Sequence, residues 1–212
     1  MPSANRIFFP GNPWREGHAV EHLQWTGRIE ADGLYFDLDL RSANYDAERR
    51  LETDDLDLDS WESPLVWGNY HRCSLSSTKW GQDEGIFVAD AKAPLDWSTL
   101  DQRIFEVDMR TSLDDDEEHA FHIYLLGHDT VLRHQIHFSE PSRGTYRLRW
   151  KAHVALTYAG DDELKHRLEV DAEVAFEGFR PAPGLSNPQA HLERFTGGKT
   201  GYAKRAGVYV PK

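Results

Sequence analysis

Cysteine occurs once in these 212 residues, as Cys73, so no internal disulfide can form. A lone thiol suits a reducing compartment. No stretch approaches the ~20 consecutive apolar residues that a membrane-spanning helix needs. The first residues, MPSANRIFFPGNPWREG, hold no continuous apolar run ahead of a small-residue cleavage site. No N-x-[ST] sequon occurs. These absences lead to the expectation of a cytoplasmic chain without a membrane partner. Basic residues are also scarce: 24 Lys and Arg stand against 36 Asp and Glu, a formal net charge of −12. Such a balance opposes contact with phosphate backbones, so no nucleic-acid partner is expected. The deficit is uneven. From Arg180 onward six Lys and Arg face one acid, a net of +5, which leaves −17 for the rest.

Catalytic and metal-binding motifs are missing too. There is no G-x-S-x-G elbow. His18 and His22 have the spacing of a zinc-binding helix, but the general base of H-E-x-x-H is absent. DDLDLDSWE at 54–62 resembles a calcium loop until position six proves to be Ser60 and position twelve Val66. GGKTG at 197–201 lacks the first glycine and the leading strand of a phosphate loop. The acidic run DDDEE at 114–118 reads as a solvated loop. Cys73 and His71 share a strand face in the alternation, with no third group to orient them. No cofactor is expected.

What the chain does have is aromatic surface: seven Trp, eight Tyr and ten Phe, enough to build a core despite a mean hydropathy of −0.66. It also has period-two alternation, the mark of half-buried strands. In TYRLRWKAHVALTY, Tyr146, Leu148, Trp150, Ala152, Val154, Leu156 and Tyr158 alternate with Arg147, Arg149, Lys151 and His153. LKHRLEVDAEVAF alternates Leu168, Val170, Ala172 and Val174 with Glu169, Asp171 and Glu173. With AGDDE as a turn, 145–177 should form one long antiparallel hairpin. Placing Tyr158 opposite Leu164 sets Lys151 against Asp171 and Arg149 against Glu173, and a two-residue slip still pairs opposite signs. HLQWTGRI and LYFDLDL repeat the pattern around an Asp32-Gly33 turn. The motif L-x-W-x-small-x-aliphatic occurs twice, at Leu23–Ile29 and Leu148–Val154. Further strands are expected at 65–75, 85–90, 104–111 and 207–210. Helix is confined to NPQAHLERF, a turn in APLDWSTLDQ and a short piece of SANYDAERRLETDD.

The expected fold is therefore all-β: an antiparallel β-sandwich or barrel built from hairpins or a meander, with little helix. Residues 1–180 read as one domain. Residues 181–212 read as an irregular basic segment packed on it or trailing from it.

Five of the 11 histidines crowd into HAFHIYLLGHDTVLRHQIHF, residues 119–138. On a hairpin turning at GHDT, Phe121, Ile123, Leu125, Leu132, Ile136 and Phe138 form the core face, and His134 falls among them. His122 and His137 take the opposite face beside Arg133, whose charge would repel a metal ion. The five histidines do not converge.

Two places remain as candidate binding sites. In LVWGNYHRCSL, read as a strand, Trp67, Asn69 and His71 share a face that is neither clean core nor clean surface. The second is a basic stripe of Arg133, Arg147, Arg149 and Lys151, which would bind a polar or anionic ligand if that face lined a barrel. The leading functional expectation is a non-enzymatic β-domain for protein interaction or self-assembly. Alternatives are a small-ligand or carbohydrate-binding β-sandwich, with Trp side chains as stacking platforms, and a metal-dependent β-barrel enzyme.

Overall fold

The computed structural model describes residues 5–50, 58–81, 84–111, 113, 118–142 and 144–212. The fold is all-β and mostly antiparallel. Its strands are β1 (Arg6–Phe8), β2 (His18–Ile29), β3 (Leu34–Ser42), β4 (Ser74–Ser76), β5 (Ile86–Ala89) and β6 (Ile104–Val107). They continue with β7 (His122–Tyr124), β8 (His128–Ser142), β9 (Thr145–Ala155), β10 (His166–Pro181), β11 (Tyr202–Arg205) and β12 (Val208–Pro211). Helix is limited to α1 (Pro64–Gly68), α2 (Pro188–Phe195) and four short 3₁₀ pieces among the described residues.

The strand pairings return to their start. β2, β3, β4, β7, β8, β9 and β10 pair in that order, and β10 pairs back to β2 in parallel at Phe176↔Trp25 and Phe179↔Gly27. At the other end of this seam β1 wedges between β10 and β2. The architecture is thus a closed barrel, which leaves no long unpaired edge along the seam. Two glycines make the closure possible. At Gly27 the ring of Phe179 lies where a Cβ would stand. Gly178 has φ +115°, a conformation that L side chains rarely adopt, and β12 passes over it to pair at Phe179↔Tyr209. Residues 181–212, expected to be irregular, hold α2, β11 and β12 as well as turns.

The alternation in β9 and β10 sets which side is buried. Leu148, Trp150, Ala152, Val154, Leu168, Val170, Ala172 and Val174 all lie in the core. The register is Lys151↔Glu169, Arg149↔Asp171 and Arg147↔Glu173, two residues from the simplest expectation. The cause is the connection: Thr157–Ala159 coils into a 3₁₀ turn and Gly160 takes φ +79°, so Tyr158 leaves the ladder. The basic and acidic stripes face outward, with Arg147 gripping Asp171 through two hydrogen bonds of 2.6 Å.

The interior is filled by aromatic rings. Phe9, Trp14, His18, Tyr45, Trp61 and Trp67 pack at one end; Trp25, Phe36, Phe138, Phe176, Phe179 and Trp97 pack at the other. His134 lies wholly buried among core residues, and the indole Nε1 of Trp150 donates to its Nδ1 at 3.0 Å. The proton must then sit on Nε2. Burial lowers the His134 pKa to about 3, with the Val131 backbone acting weakly the other way.

Residues 65–75 correct the expectation of a strand. Ser63 caps α1 by accepting a hydrogen bond from the Val66 amide, and Pro64 opens the helix. This start signal outweighs the weak alternation, and only Ser74–Ser76 joins the sheet.

Candidate functional site

A wide cleft lies where the barrel wall divides. β4 and β7 are three residues each. At its start β3 pairs with β5, and β8 extends beyond β7 to pair with β6. No ladder joins β5 to β6 among the described residues. Between them opens a cleft of about 800 Å³, lined by the β2–β3 turn (Glu30, Asp32), Tyr35, Glu84, Phe87, Glu106 and Asp108, with Arg28 in its wall.

Five of these residues are carboxylates. The cation among them, Arg28, is fully engaged: Nε holds Asp37 Oδ2 at 2.8 Å, Nη1 reaches Glu30 Oε1 at 3.3 Å, and Nη2 donates to the Glu84 carbonyl at 2.8 Å. Asp37 is itself buried and accepts from Ser77 Oγ at 3.1 Å. The guanidinium also lies 5.3 Å from the centre of the Tyr35 ring. Tyr35 meets Phe87 edge to face at 5.3 Å, and Phe87 is 51% exposed. Two aromatic rings thus stand beside a surplus of negative charge.

Glu84 is the unusual acid. A hydrogen bond with the Glu118 carboxyl, then burial and the charges of Glu118 and Asp108, push its pKa up to about 7. Two carboxyl groups in contact cannot both ionise cheaply, which is why Glu84 keeps its proton to higher pH. Backbone strain supports this corner. Asp108 has φ +51° and Arg133 has φ +56°. They are joined by the Arg133 amide donating to the Asp108 carbonyl at 2.9 Å. Arg133 Nε donates to the Arg110 carbonyl at 3.0 Å, and Arg110 Nη2 donates to the Glu118 carbonyl at 2.7 Å. The Asp108 carboxylate accepts from the Ala120 amide at 2.9 Å. Non-glycine residues at positive φ cluster at functional corners.

The residues picked from the sequence are spread out. Trp67 is a core residue whose Nε1 donates to the Trp61 carbonyl at 2.8 Å. Asn69 and His71 lie exposed beyond it and share no site with it. Arg147, Arg149 and Lys151 point outward from β9. Arg133 alone borders the cleft, as a brace. Arg28, Tyr35, Glu84, Phe87, Asp108 and Glu118 were missed. One signal was available: in GIFVAD, Phe87 is an aromatic on the outward phase, between buried Ile86 and Val88.

The rings of His119 and His122 stack 6.1 Å apart, a pairing that the hairpin reading, with no convergence of the histidines, did not expect. His122 lies opposite Ser76, whereas His137 lies opposite Ile104 and donates to the Asp101 carbonyl at 2.7 Å. Among the described residues, no group of three or more His, Cys, Asp or Glu is placed to hold a metal ion. Asp55 and Asp57 of the calcium-like loop, and 114–117 of the acidic run, lie outside the described residues. Among the described residues, no helix is long and apolar enough to cross a membrane. The Cys73 thiol is wholly buried, and that burial pushes its pKa up, away from nucleophilic use. Comparisons with family models, with curated proteins and with solved structures find no match to this chain.

Proposed function

We propose that this chain is a non-enzymatic binding β-barrel that takes a small ligand bearing an ammonium or guanidinium group in the cleft between β5 and β6. The observation that carries this reading is the charge balance there. Five carboxylates line the cleft against two guanidinium groups: Arg28, which already holds Asp37, Glu30 and the Glu84 carbonyl, and Arg110, whose Nη2 lies 3.6 Å from Asp108 Oδ1. A cation relieves that surplus, and Tyr35 and Phe87 offer ring surfaces, worth about 0.5–2 kcal/mol for a cation over a face. The barrel interior is packed, so a ligand sits at the wall rather than in a lumen.

The test is calorimetric titration with agmatine and benzyltrimethylammonium, with phenylacetate as the anionic counterpart. Saturable binding of the cations, weakened by salt and by Asp108→Asn, is expected. Asparagine tolerates the positive φ of this position and keeps the acceptor for Ala120. Equal binding of phenylacetate, or no saturable binding, defeats the reading. Reproducible turnover of a bound cation defeats its non-enzymatic part.

A second reading, self-assembly, is favoured by one observation. The β11–β12 hairpin presents Lys204 and Arg205, both exposed, beside a tight turn at Ala206 with φ +47°. Such a basic tip complements the acidic cleft of another copy in a head-to-tail contact. Sedimentation at rising concentration in low salt should then show oligomers that Lys204→Glu/Arg205→Glu abolishes. A monomer at every concentration removes this reading.

A further inference from the structure

A second cleft, of about 570 Å³, opens on the same barrel but on different elements. Its aromatic residues are Trp97, in the 3₁₀ helix Trp97–Gln102, Tyr146 on β9 and Phe176 on β10. All three are only half-buried. Five of the seven Trp residues are sealed in the core, so a half-buried one at a cleft calls for a reason. Trp97 is also held rigidly. Its Nε1 donates to Tyr202 Oη at 2.8 Å, and its ring meets Phe176 at 4.9 Å.

The polar rim holds an ion pair, Asp96 with Lys199, and beside it Thr200 and Lys212. Lys199 Nζ lies 2.7 Å from Asp96 Oδ2, while Asp96 Oδ1 accepts from the Ser98 amide at 3.0 Å and from Ser98 Oγ at 2.6 Å. The pair is close to neutral and offers an acceptor and a donor side by side. Vicinal hydroxyls, each both donor and acceptor, match that arrangement; an isolated cation or anion does not. Directly behind the aromatic wall, Trp25 is wholly buried, and its Nε1 has no hydrogen-bond partner. Its ring lies 5.3 Å from Tyr146 and 4.9 Å from Phe176.

We infer that this cleft binds a carbohydrate, stacking a pyranose ring against Trp97, Tyr146 and Phe176 and reading adjacent hydroxyls with Asp96 and Lys199. The volume falls in the ~300–1,000 Å³ range of small-molecule sites. The rigid ring surface spares the ligand the cost of ordering it.

The test is a titration followed by tryptophan emission and calorimetry. The panel is methyl α-mannoside, methyl β-glucoside and N-acetylglucosamine with their trisaccharides, plus 3-phenylpropionate. At least one glycoside should saturate with a change in emission. Asp96→Asn and Lys199→Gln, both at exposed or half-exposed positions that keep a capping or polar group, should each weaken it about fivefold, the loss of one net hydrogen bond. Asp108→Asn, in the other cleft, should leave it unchanged. The proposal is overturned if no glycoside saturates, or if 3-phenylpropionate binds more tightly than every glycoside. It is overturned equally if both rim variants bind as the parent does.

Discussion

Replacing Gly27 by alanine tests how the barrel closes. An added Cβ would stand 2.3 Å from Phe179 Cδ1, 2.5 Å from Cε1 and 3.1 Å from Phe176 Cζ. Ordinary contact begins at 3.4 Å, so Phe179 must retreat by about 1 Å. It has nowhere to go: it is wholly buried, with Phe176 at 4.9 Å, Phe36 at 6.0 Å and Tyr202 at 6.1 Å. Overpacking of this kind costs about 1–3 kcal/mol. Gly27 has no positive φ, so alanine fits the backbone and recovers about 0.4–1 kcal/mol from the unfolded chain. Taken at the middle of both ranges, the net loss is about 1.3 kcal/mol. For a domain of this size each kcal/mol lowers Tm by ~2–4 °C, so a fall of several degrees is expected by circular dichroism. Gly68→Ala is the matched control, because a Cβ there meets nothing within 4 Å and the residue is helical. It should be neutral or stabilising by up to about 1 kcal/mol. If Gly27→Ala melts at or above the parent temperature, the parallel seam between β2 and β10 is misplaced.

Glu84, raised to about 7, should make affinity for agmatine rise between pH 6 and 8 as its proton leaves, and Glu84→Gln should flatten that rise; a pH-independent affinity in the parent contradicts the raised pKa of Glu84. The same raised pKa stabilises the fold below the unfolded value near 4.5 and loses that contribution as pH climbs through 7, so Glu84→Gln should be more stable than the parent at pH 8 in urea titrations. Burial lowers His18 to about 4 and His134 to about 3, so their contribution is full above the unfolded value of 6.5 and falls with pH below it. In the Glu84→Gln background, which removes the opposing slope, the urea midpoint should drop between pH 6.5 and 4.5; a flat midpoint would show that neither ring is sealed. Arg147→Ala removes an ion pair whose side chains are 39% and 34% exposed, so thermal unfolding should register less than about 1 kcal/mol. A loss of several kcal/mol there would mean that the stripe is packed against something.

Much of the fold was legible because alternation reports burial directly. β2, β3, β9, β10 and the core face of 119–138 follow from it, as does the placing of His134 among core residues. The partner of His134 was not legible. Arg133 takes φ +56° in a bulge that shifts the β8–β9 register between Leu132 and Gln135, so no strand arithmetic pairs His134 with Trp150. The strand expected at 65–75 failed because a capping serine and a proline act locally, whereas alternation in that stretch was already poor. The acidic cleft was the least visible feature. It joins the β2–β3 turn, β5, β6 and Glu118, and what unites them is the split between two short strands rather than any spacing in the chain. The seam was equally hidden, since a parallel pairing between β2 and β10 leaves no local mark beyond the small residue at 27.

The most direct test of the proposed site is a ¹H–¹⁵N correlation titration of the whole chain with benzyltrimethylammonium. Saturable shifts should gather at residues 28–35, 84–87 and 106–110, and should fade in Asp108→Asn. Shifts gathered elsewhere, or none that saturate, would contradict the account.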